Sequence, residues 1–286
     1  VKQIVIISGK GGTGKTVLTG AFAALAENKI IVDCDVDAAN LHLLLNPTIK
    51  ERHVFKSGFT ASIDQKKCAH CLKCMKACRF DAIDDNLVID PISCEGCGLC
   101  YHLCPTKAIE LKENTSGEWF VSDTKFGIFV YAKLGIAEEN SGKLVSLIRK
   151  QTQLIALEQN RDLIIIDGAP GIGCPVIACI SNVDYAVIVT EPTLSGLHDA
   201  KRVIKVAQHF NVPIKLIINK YDLNEDMTKT ITQYCDNNNI SVIGKIEFNS
   251  TIVESVVNAQ TIMECSDSKL NGIKKEIKNI WQRLIT

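Results

Sequence analysis

Gln3-Ile4-Val5-Ile6-Ile7-Ser8-Gly9-Lys10-Gly11-Gly12-Thr13-Gly14-Lys15-Thr16 is the stretch on which the fold turns. Its apolar start reads as a buried strand over 3–8, and an apolar helical segment follows to about Glu27. Between them, Gly9 to Thr16 fits G-x4-G-K-[ST] in the strand–loop–helix setting that motif requires. Glycines let backbone N–H groups converge on phosphate oxygens, and the helix N-terminus adds partial positive charge. The candidate phosphate contacts are therefore Gly11, Gly12, Thr13, Gly14, Lys15 and Thr16. Lys15 is expected to reach the β- and γ-phosphates, and Thr16 to hold Mg²⁺. A glycine-rich turn of no function is the alternative, and the setting argues against it.

Outward from this loop, apolar runs end repeatedly in polar residues. Ile30-Ile31-Val32 leads to Asp33-Cys34-Asp35-Val36-Asp37, and Leu163 to Ile166 leads to Asp167-Gly168-Ala169-Pro170-Gly171. Ile214 to Ile218 leads to Asn219-Lys220-Tyr221-Asp222. Acidic residues at the C-terminal ends of strands face the ligand crevice of an open sheet. Strands are expected near 3–8, 29–33, 126–133, 162–167, 184–190, 214–219 and 241–246. Helices are expected near 14–27, 141–159 and 196–210. The class is α/β, a mostly parallel sheet flanked by helices.

Thirteen cysteines stand in this chain of 286 residues. Eight form two runs of the pattern C-x2-C-x2-C-x3-C, Cys68-Cys71-Cys74-Cys78 and Cys94-Cys97-Cys100-Cys104, each member displaced by 26 positions from its counterpart. Ala82-Ile83 recurs at Ala108-Ile109, so the segment is an internal duplication. Three thiolates two residues apart can wrap one cubane cluster, while the fourth reaches the other. Cys68, Cys71, Cys74 and Cys104 would ligate one 4Fe–4S cluster; Cys94, Cys97, Cys100 and Cys78 the second. Zinc is the competing ligand, but it prefers four donors in two C-x2-C pairs with a long spacer. Gly96 and Gly98 would let amides approach the sulfurs.

Hydrophobic residues make up 46% of the chain and charged residues 22%, so a sizeable core is expected and disorder is not. Formal net charge is zero, which gives no global field for nucleic acid or anionic membranes. The opening strand is not a signal peptide, and no apolar run approaches a spanning helix. The expected localisation is cytoplasmic. The last helix has Leu270, Ile273, Ile277, Ile280, Trp281 and Leu284 on one face, expected to be core packing rather than a membrane surface.

The form G-K-G-G-x-G-K-T resembles the deviant Walker A loop of the MinD/ParA/nitrogenase-iron-protein class. Asp33 to Leu41 is similar to a D-x-D-x4-N-L segment, and Asp167 to Gly171 resembles Walker B and switch II. Residues 58–113 resemble bacterial-type ferredoxins with two 4Fe–4S clusters, except that Arg79 follows Cys78 where Pro105 follows Cys104. Ser141-Gly142-Lys143-Leu144 and Thr190-Glu191-Pro192-Thr193 complete the order. The whole resembles MinD-superfamily ATPases containing an inserted small α+β ferredoxin domain, with the ATPase domain at 1–57 and 114–286 and the insert at 58–113. Its edges, Ser57-Gly58 and Asn114-Thr115-Ser116-Gly117, read as loops.

The resemblance implies that Lys10 reaches across a nucleotide-dependent homodimer. It implies that Asp33 lies near the Mg²⁺ shell, that Asp35 positions the attacking water and that Asp167 supports Mg²⁺, which makes Lys10, Lys15, Asp35 and Asp167 the catalytic candidates. Asn219 would face the base. Read literally, Asn219-Lys220-Tyr221-Asp222 is a guanine signature, so GTP stands beside ATP. Glu247 and Asn249 stand where that group tends to carry Pro and Asp. Cys174 follows Asp167 at the place of a bridging-cluster cysteine, but a second such cysteine is missing at Asn140. Cys34, Cys179, Cys235 and Cys265 have no ligand spacing. Three functions fit: ATP-gated electron transfer to a partner protein, ATP-dependent carriage of iron–sulfur or metal clusters to an acceptor, and a nucleotide-controlled redox sensor.

Overall fold

A computed structural model describes residues 1–135 and 140–285. In chain order the elements are β1 (Lys2–Ser8), α1 (Lys15–Leu25), β2 (Lys29–Asp33), α2 (Leu41–Leu45), β3 (Thr48–Ile63), α3 (Lys73–Ala77), α4 (Leu99–Leu103), β4 (Ile109–Thr124) and β5 (Gly127–Leu134). Then come α5 (Ser141–Glu158), β6 (Leu163–Pro170), α6 (Cys174–Ile180), β7 (Tyr185–Thr190), α7 (Leu194–His209), β8 (Ile214–Asn219), α8 (Glu225–Asn237), β9 (Ser241–Ile246), α9 (Thr251–Val257) and α10 (Asn271–Ile285). The strand order is β3-β4-β5-β2-β6-β1-β7-β8-β9. From β5 to β9 every neighbouring pair is parallel. The expected α/β class holds.

The chain divides into two compact units, one of residues 1–53, 119–133 and 141–286, the other of 54–118 and 134–140. In the first, β1 and β6 are buried almost throughout. Strands covered on both faces by crossover helices read as continuous apolar runs, and Ile4-Val5-Ile6-Ile7 and Leu163-Ile164-Ile165-Ile166 do so. The expected apolar face of α10 is core: Ile273, Ile277, Ile280, Trp281 and Leu284 are buried, and Trp281 meets Phe22 of α1 at 5.3 Å between ring centroids. Each such burial contributes roughly 1.5–3 kcal/mol. A Cβ at Gly244 would come within 2.3 Å of Ile280, so the small residue lets α10 lie against β9. No helix among the described residues is long and apolar enough to cross a membrane.

The second unit has a small core of Ala61, Cys74, Ile83, Leu87 and Ile109, with further cysteines packed on it. The sequence duplication is also conformational. Helices α3 and α4 begin at Lys73 and Leu99, again 26 residues apart. Left-handed residues recur at the same spacing: His70 and Gly96 (φ 52 and 60), Leu72 and Gly98 (57 and 74), Asp81 and Lys107 (52 and 50). At Gly96 the backbone of Phe59 leaves no room for a side chain, with the Phe59 carbonyl oxygen 2.0 Å from where a Cβ would sit.

The loops expected at the edges of the insert are absent. Ser57-Gly58 lies within β3, and Asn114-Thr115-Ser116-Gly117 within β4. Ser116 Oγ donates to the Ser57 carbonyl at 2.6 Å, and the Ser116 carbonyl accepts the Gly135 amide at 2.8 Å. Hydrogen bonding between distant segments overrides a composition that favours turns in isolation.

Candidate functional site

Five parallel strands of the first unit deliver their C-terminal ends to one crevice. β1 ends in the Gly9–Gly14 loop, β2 in Asp33 and the following Asp35, β6 carries Asp167, β7 leads to Glu191, and β8 ends in Asn219. The loop turns through left-handed Gly12 and Gly14 (φ 80 and 90), and α1 starts at Lys15. Asn219 Nδ2 donates to the Thr13 carbonyl at 2.8 Å, tying the loop to β8. A Cβ on Gly14 would sit 2.3 Å from that same nitrogen. Thr13 Oγ1 is buried with no hydrogen-bond partner among the described residues. An orphaned hydroxyl in a loop of convergent amides fits a phosphate-binding cradle.

Lys15 is 6% exposed, with Nζ 3.0 Å from Asp167 Oδ1 and 3.7 Å from Asp35 Oδ2. Burial works against its charge, but Asp167, Asp33 and Asp35 outweigh burial and hold its pKa above the ordinary value. Thr16 Oγ1 donates to Asp167 Oδ2 at 2.8 Å, and Thr19 Oγ1 to Asp167 Oδ1 at 2.9 Å. Thr16 and Asp167 thus offer adjacent hard oxygens, the donor type that suits Mg²⁺, which keeps waters and needs only one or two carboxylates. Asp35 is raised above the usual carboxylate range by burial, with Asp167 and Asp37 adding to that and Lys15 opposing it.

Asp33 is engaged by backbone amides. Its Oδ1 accepts the Asp35 amide at 3.0 Å and its Oδ2 the Leu41 amide at 3.2 Å. Burial, then the Asp167 charge, pushes its carboxyl up to about 8. With an amide on each oxygen, Asp33 holds the Asp35 loop in place, and it pairs in register with Asp167 across β2 and β6.

Asp222 is engaged by an amide as well. Its Oδ1 accepts the Phe248 amide at 2.7 Å, which fixes the loop after β9. A cavity of about 260 Å³ beside the phosphate loop is walled by Gly12, Gly14, Asn219, Phe248, Asn249 and Ile252, among others, and Asp222 is not among its lining residues. Of the Asn219–Asp222 signature, Asn219 and Lys220 line this cavity. Its apolar walls suit the flat face of a purine.

Lys10 also has partners that its motif does not announce. Its Nζ is 3.4 Å from Glu191 Oε2 and 3.2 Å from Ser195 Oγ, while Lys220 Nζ meets Glu191 Oε1 at 2.6 Å. Thr19, Glu191, Ser195 and Lys220 had no assigned role in the sequence reading. Glu191 alone carried a signal, as a carboxylate at the C-terminal end of a parallel strand.

In the second unit the eight duplicated cysteines separate into two cavities. One is lined by Cys68, Cys71, Cys74 and Cys104, the other by Cys78, Cys94, Cys97 and Cys100. Each set combines three cysteines of one run with the fourth of the other. Cys68 Sγ accepts the His70 amide at 3.4 Å and Cys104 Sγ the Ala108 amide at 3.2 Å. Among the described residues no three His, Cys, Asp or Glu close on a single-ion site. Zinc would draw its four sulfurs to about 3.8 Å of one another, given Zn–S of ~2.3 Å. A cubane takes each thiolate on a different iron, and sulfurs spread around a cavity fit that demand.

The other cysteines lie apart from these sets. Cys34, Cys179 and Cys235 are buried, Cys265 is half-buried, and Cys174 is exposed at the first residue of α6. Burial and contact with Cys179 push the Cys34 thiol up.

The family model described as the CobQ/CobB/MinD/ParA nucleotide-binding domain matches residues 4–262. An uncharacterized protein of Methanocaldococcus jannaschii is 32% identical over 99% of this chain and 96% of its own length. The pyruvate synthase subunit PorD of Methanothermobacter marburgensis is 35% identical over 24% of this chain and 93% of its own. The septum site-determining protein MinD of Pyrococcus horikoshii, solved with Mg-ADP, shares the fold with a TM-score of 0.58 at 18% identity, over 99% of this chain and 95% of that one.

Proposed function

The chain belongs to the CobQ/CobB/MinD/ParA nucleotide-binding family, and from that premise we propose that it is a MinD-like ATPase whose nucleotide cycle gates electron transfer from an iron–sulfur module on the same chain. The observation that carries this reading is the division of eight cysteines into two cavities, each lined by the four residues that ferredoxin-type spacing assigns to one 4Fe–4S cluster. The similarity to PorD, over 75 residues, supports it from outside the ATPase family. When bound, the two clusters would supply one-electron storage at low potential.

In the nucleotide site, the Gly9–Gly14 amides and Lys15 hold the phosphate chain, and Thr16 and Asp167 hold Mg²⁺. Lys15 already faces Asp167 and Asp35, so its ammonium is charged and placed before nucleotide arrives. Asp35, with its raised proton affinity, orients the attacking water. Fixed charge rather than covalent chemistry provides the catalysis. Lys10 leaves Glu191 and Ser195 to act on the phosphates of a second copy in a nucleotide-dependent dimer. ATP is the substrate in preference to GTP, because Asp222 is engaged by Phe248 and is absent from the cavity wall.

The test is an anaerobic redox titration of the purified chain, followed by electron paramagnetic resonance, with ADP and then with a non-hydrolysable ATP analogue. Iron and acid-labile sulfide are quantified first. A potential difference of about 30 mV or more between the two nucleotides supports gating. Identical potentials, or iron lost to a chelator during turnover, would overturn it in favour of nucleotide-controlled docking or cluster delivery.

A further inference from the structure

The formal charges of the cysteine-rich unit are unevenly distributed along its sequence, and a lysine, Lys73, lines the first cavity. Flanking the residues that line the first cavity are Lys66, Lys67, Lys73 and Lys107, all exposed, with Asp64 and Glu110, while Lys76 precedes Ala77 and Cys78 of the second cavity. From residue 79 to 103, which includes three of the four cysteines of the second cavity, the balance inverts: Asp81, Asp84, Asp85, Asp90 and Glu95 stand against Arg79. A chain whose total charge is zero thus carries a local excess of about two positive charges beside the first cavity and about four negative charges over residues 79–103.

The basic residues belong to the cavity itself. Lys73 lines it, Lys67 precedes Cys68, and Lys107 closes the turn after Cys104 by donating its amide to the Cys104 carbonyl at 3.3 Å. Only Lys67 has an acidic partner within the unit among the described residues, Asp64 at 3.4 Å. Lys66, Lys73, Lys76 and Lys107 make no ion pair there and present their charge to solvent. Cys71 is exposed among them, so this rim brings the cavity to the surface.

We propose that the rim of the Cys68-Cys71-Cys74-Cys104 cavity is a docking surface for an acidic one-electron carrier protein. The inference rests on the iron–sulfur reading of that cavity. Unpaired lysines at a surface attract an acidic partner over about 8–10 Å and set its orientation, which governs encounter more than final affinity. The acidic stretch beyond residue 79 repels the same partner, so approach is directed to the first cavity. A polyanion without redox chemistry would have no reason to require a cysteine cavity at the centre of the patch.

The probe is an oxidised flavodoxin, an acidic carrier without iron, labelled at its N-terminus with a fluorescent dye. Its Kd for the full chain, purified without air, is measured by fluorescence anisotropy, beside the iron and sulfide content. Kd is expected to rise about tenfold or more between about 0.05 and 0.3 M salt. The triple variant K73E/K76E/K107E should weaken binding by a further factor of about thirty, with K73Q/K76Q/K107Q intermediate and available should the reversal fail to fold. The control K150E/K205E/K278E, equal in charge and on the other unit, should change Kd less than about threefold. The proposal fails if the neutralised variant binds as the wild type does. It fails too if a DNA duplex or vesicles of anionic phospholipid bind as tightly and are lost with the same lysines. Absent iron with salt-dependent, lysine-dependent binding would remove the iron–sulfur reading and leave the docking surface; bound iron without such binding would do the reverse.

Discussion

Lys15 Nζ stands 3.0 Å from Asp167 Oδ1, an ion pair that joins the start of α1 to the end of β6 across 152 residues of sequence. Both side chains are nearly inaccessible, and Asp35 adds its charge on the same side, 3.7 Å from Lys15 Nζ. Lys15→Ala would leave these carboxylates facing one another without a cation. Urea unfolding at pH 7 is expected to show a loss of about 3 kcal/mol, because a buried pair broken on one side leaves an uncompensated charge. Nucleotide binding should be lost with it.

Asp33 gives the metal-free protein a pH dependence of known sign. Its folded pKa, about 8, lies above the unfolded value, so the folded state binds the extra proton between about pH 4 and 8. Stability from this group is therefore present at low pH and falls as pH rises through 8. In EDTA, wild type should lose at least about 1 kcal/mol more than Asp33→Asn between pH 5 and pH 8. Equal slopes for the two proteins would mean that Asp33 is ionised in the fold.

Asp222 is expected to act on base affinity without acting on base choice. Asp222→Ala removes the acceptor of the Phe248 amide and loosens one wall of the cavity. Affinity for ATP and GTP analogues should fall together, by about tenfold, as the loss of one partly buried hydrogen bond implies. A loss confined to the guanine nucleotide, read by competition with a fluorescent analogue, would restore the guanine signature.

Gly14→Ala tests the seam between the phosphate loop and β8. The position has φ 90, and the new methyl would collide with Asn219 Nδ2. Nucleotide affinity should drop by more than about tenfold, since both the backbone and the Asn219–Thr13 bond must shift. Gly58→Ala, which shares a positive φ (75) in β3 and where a Cβ meets nothing, is the control for backbone strain alone.

The cysteines divide into those expected to hold iron and those not. Cys71→Ser or Cys97→Ser should each cost about half the bound iron, by loss of one of two clusters. Cys174→Ala and Cys265→Ala should cost none. Iron lost with Cys174 would point to a cluster outside the two cavities.

The sequence by itself determined what is local or strictly periodic. Gly9 to Thr16 forms its loop from consecutive residues, so the phosphate site was legible at once. The displacement of 26 residues between cysteine runs carried the same information for the second unit, because equal spacing repeats equal backbone turns at His70 and Gly96, and at Leu72 and Gly98. The parallel strands were legible because burial on both faces writes continuous apolar runs. Only the tertiary structure decided which side chains have their polar atoms left free. Asp33 and Asp222 have the residue types of a metal ligand and a base reader, and amides from Asp35, Leu41 and Phe248 give them structural bonds that no motif announces. Glu191 gains its place beside Lys10 only when β7 and β1 lie together. Ser57 and Ser116, turn-like in composition, become strand because each finds the other across 59 residues. Hydrogen bonds and ion pairs between distant segments depend on the relative placement of strands, and no motif of neighbouring residues encodes that placement.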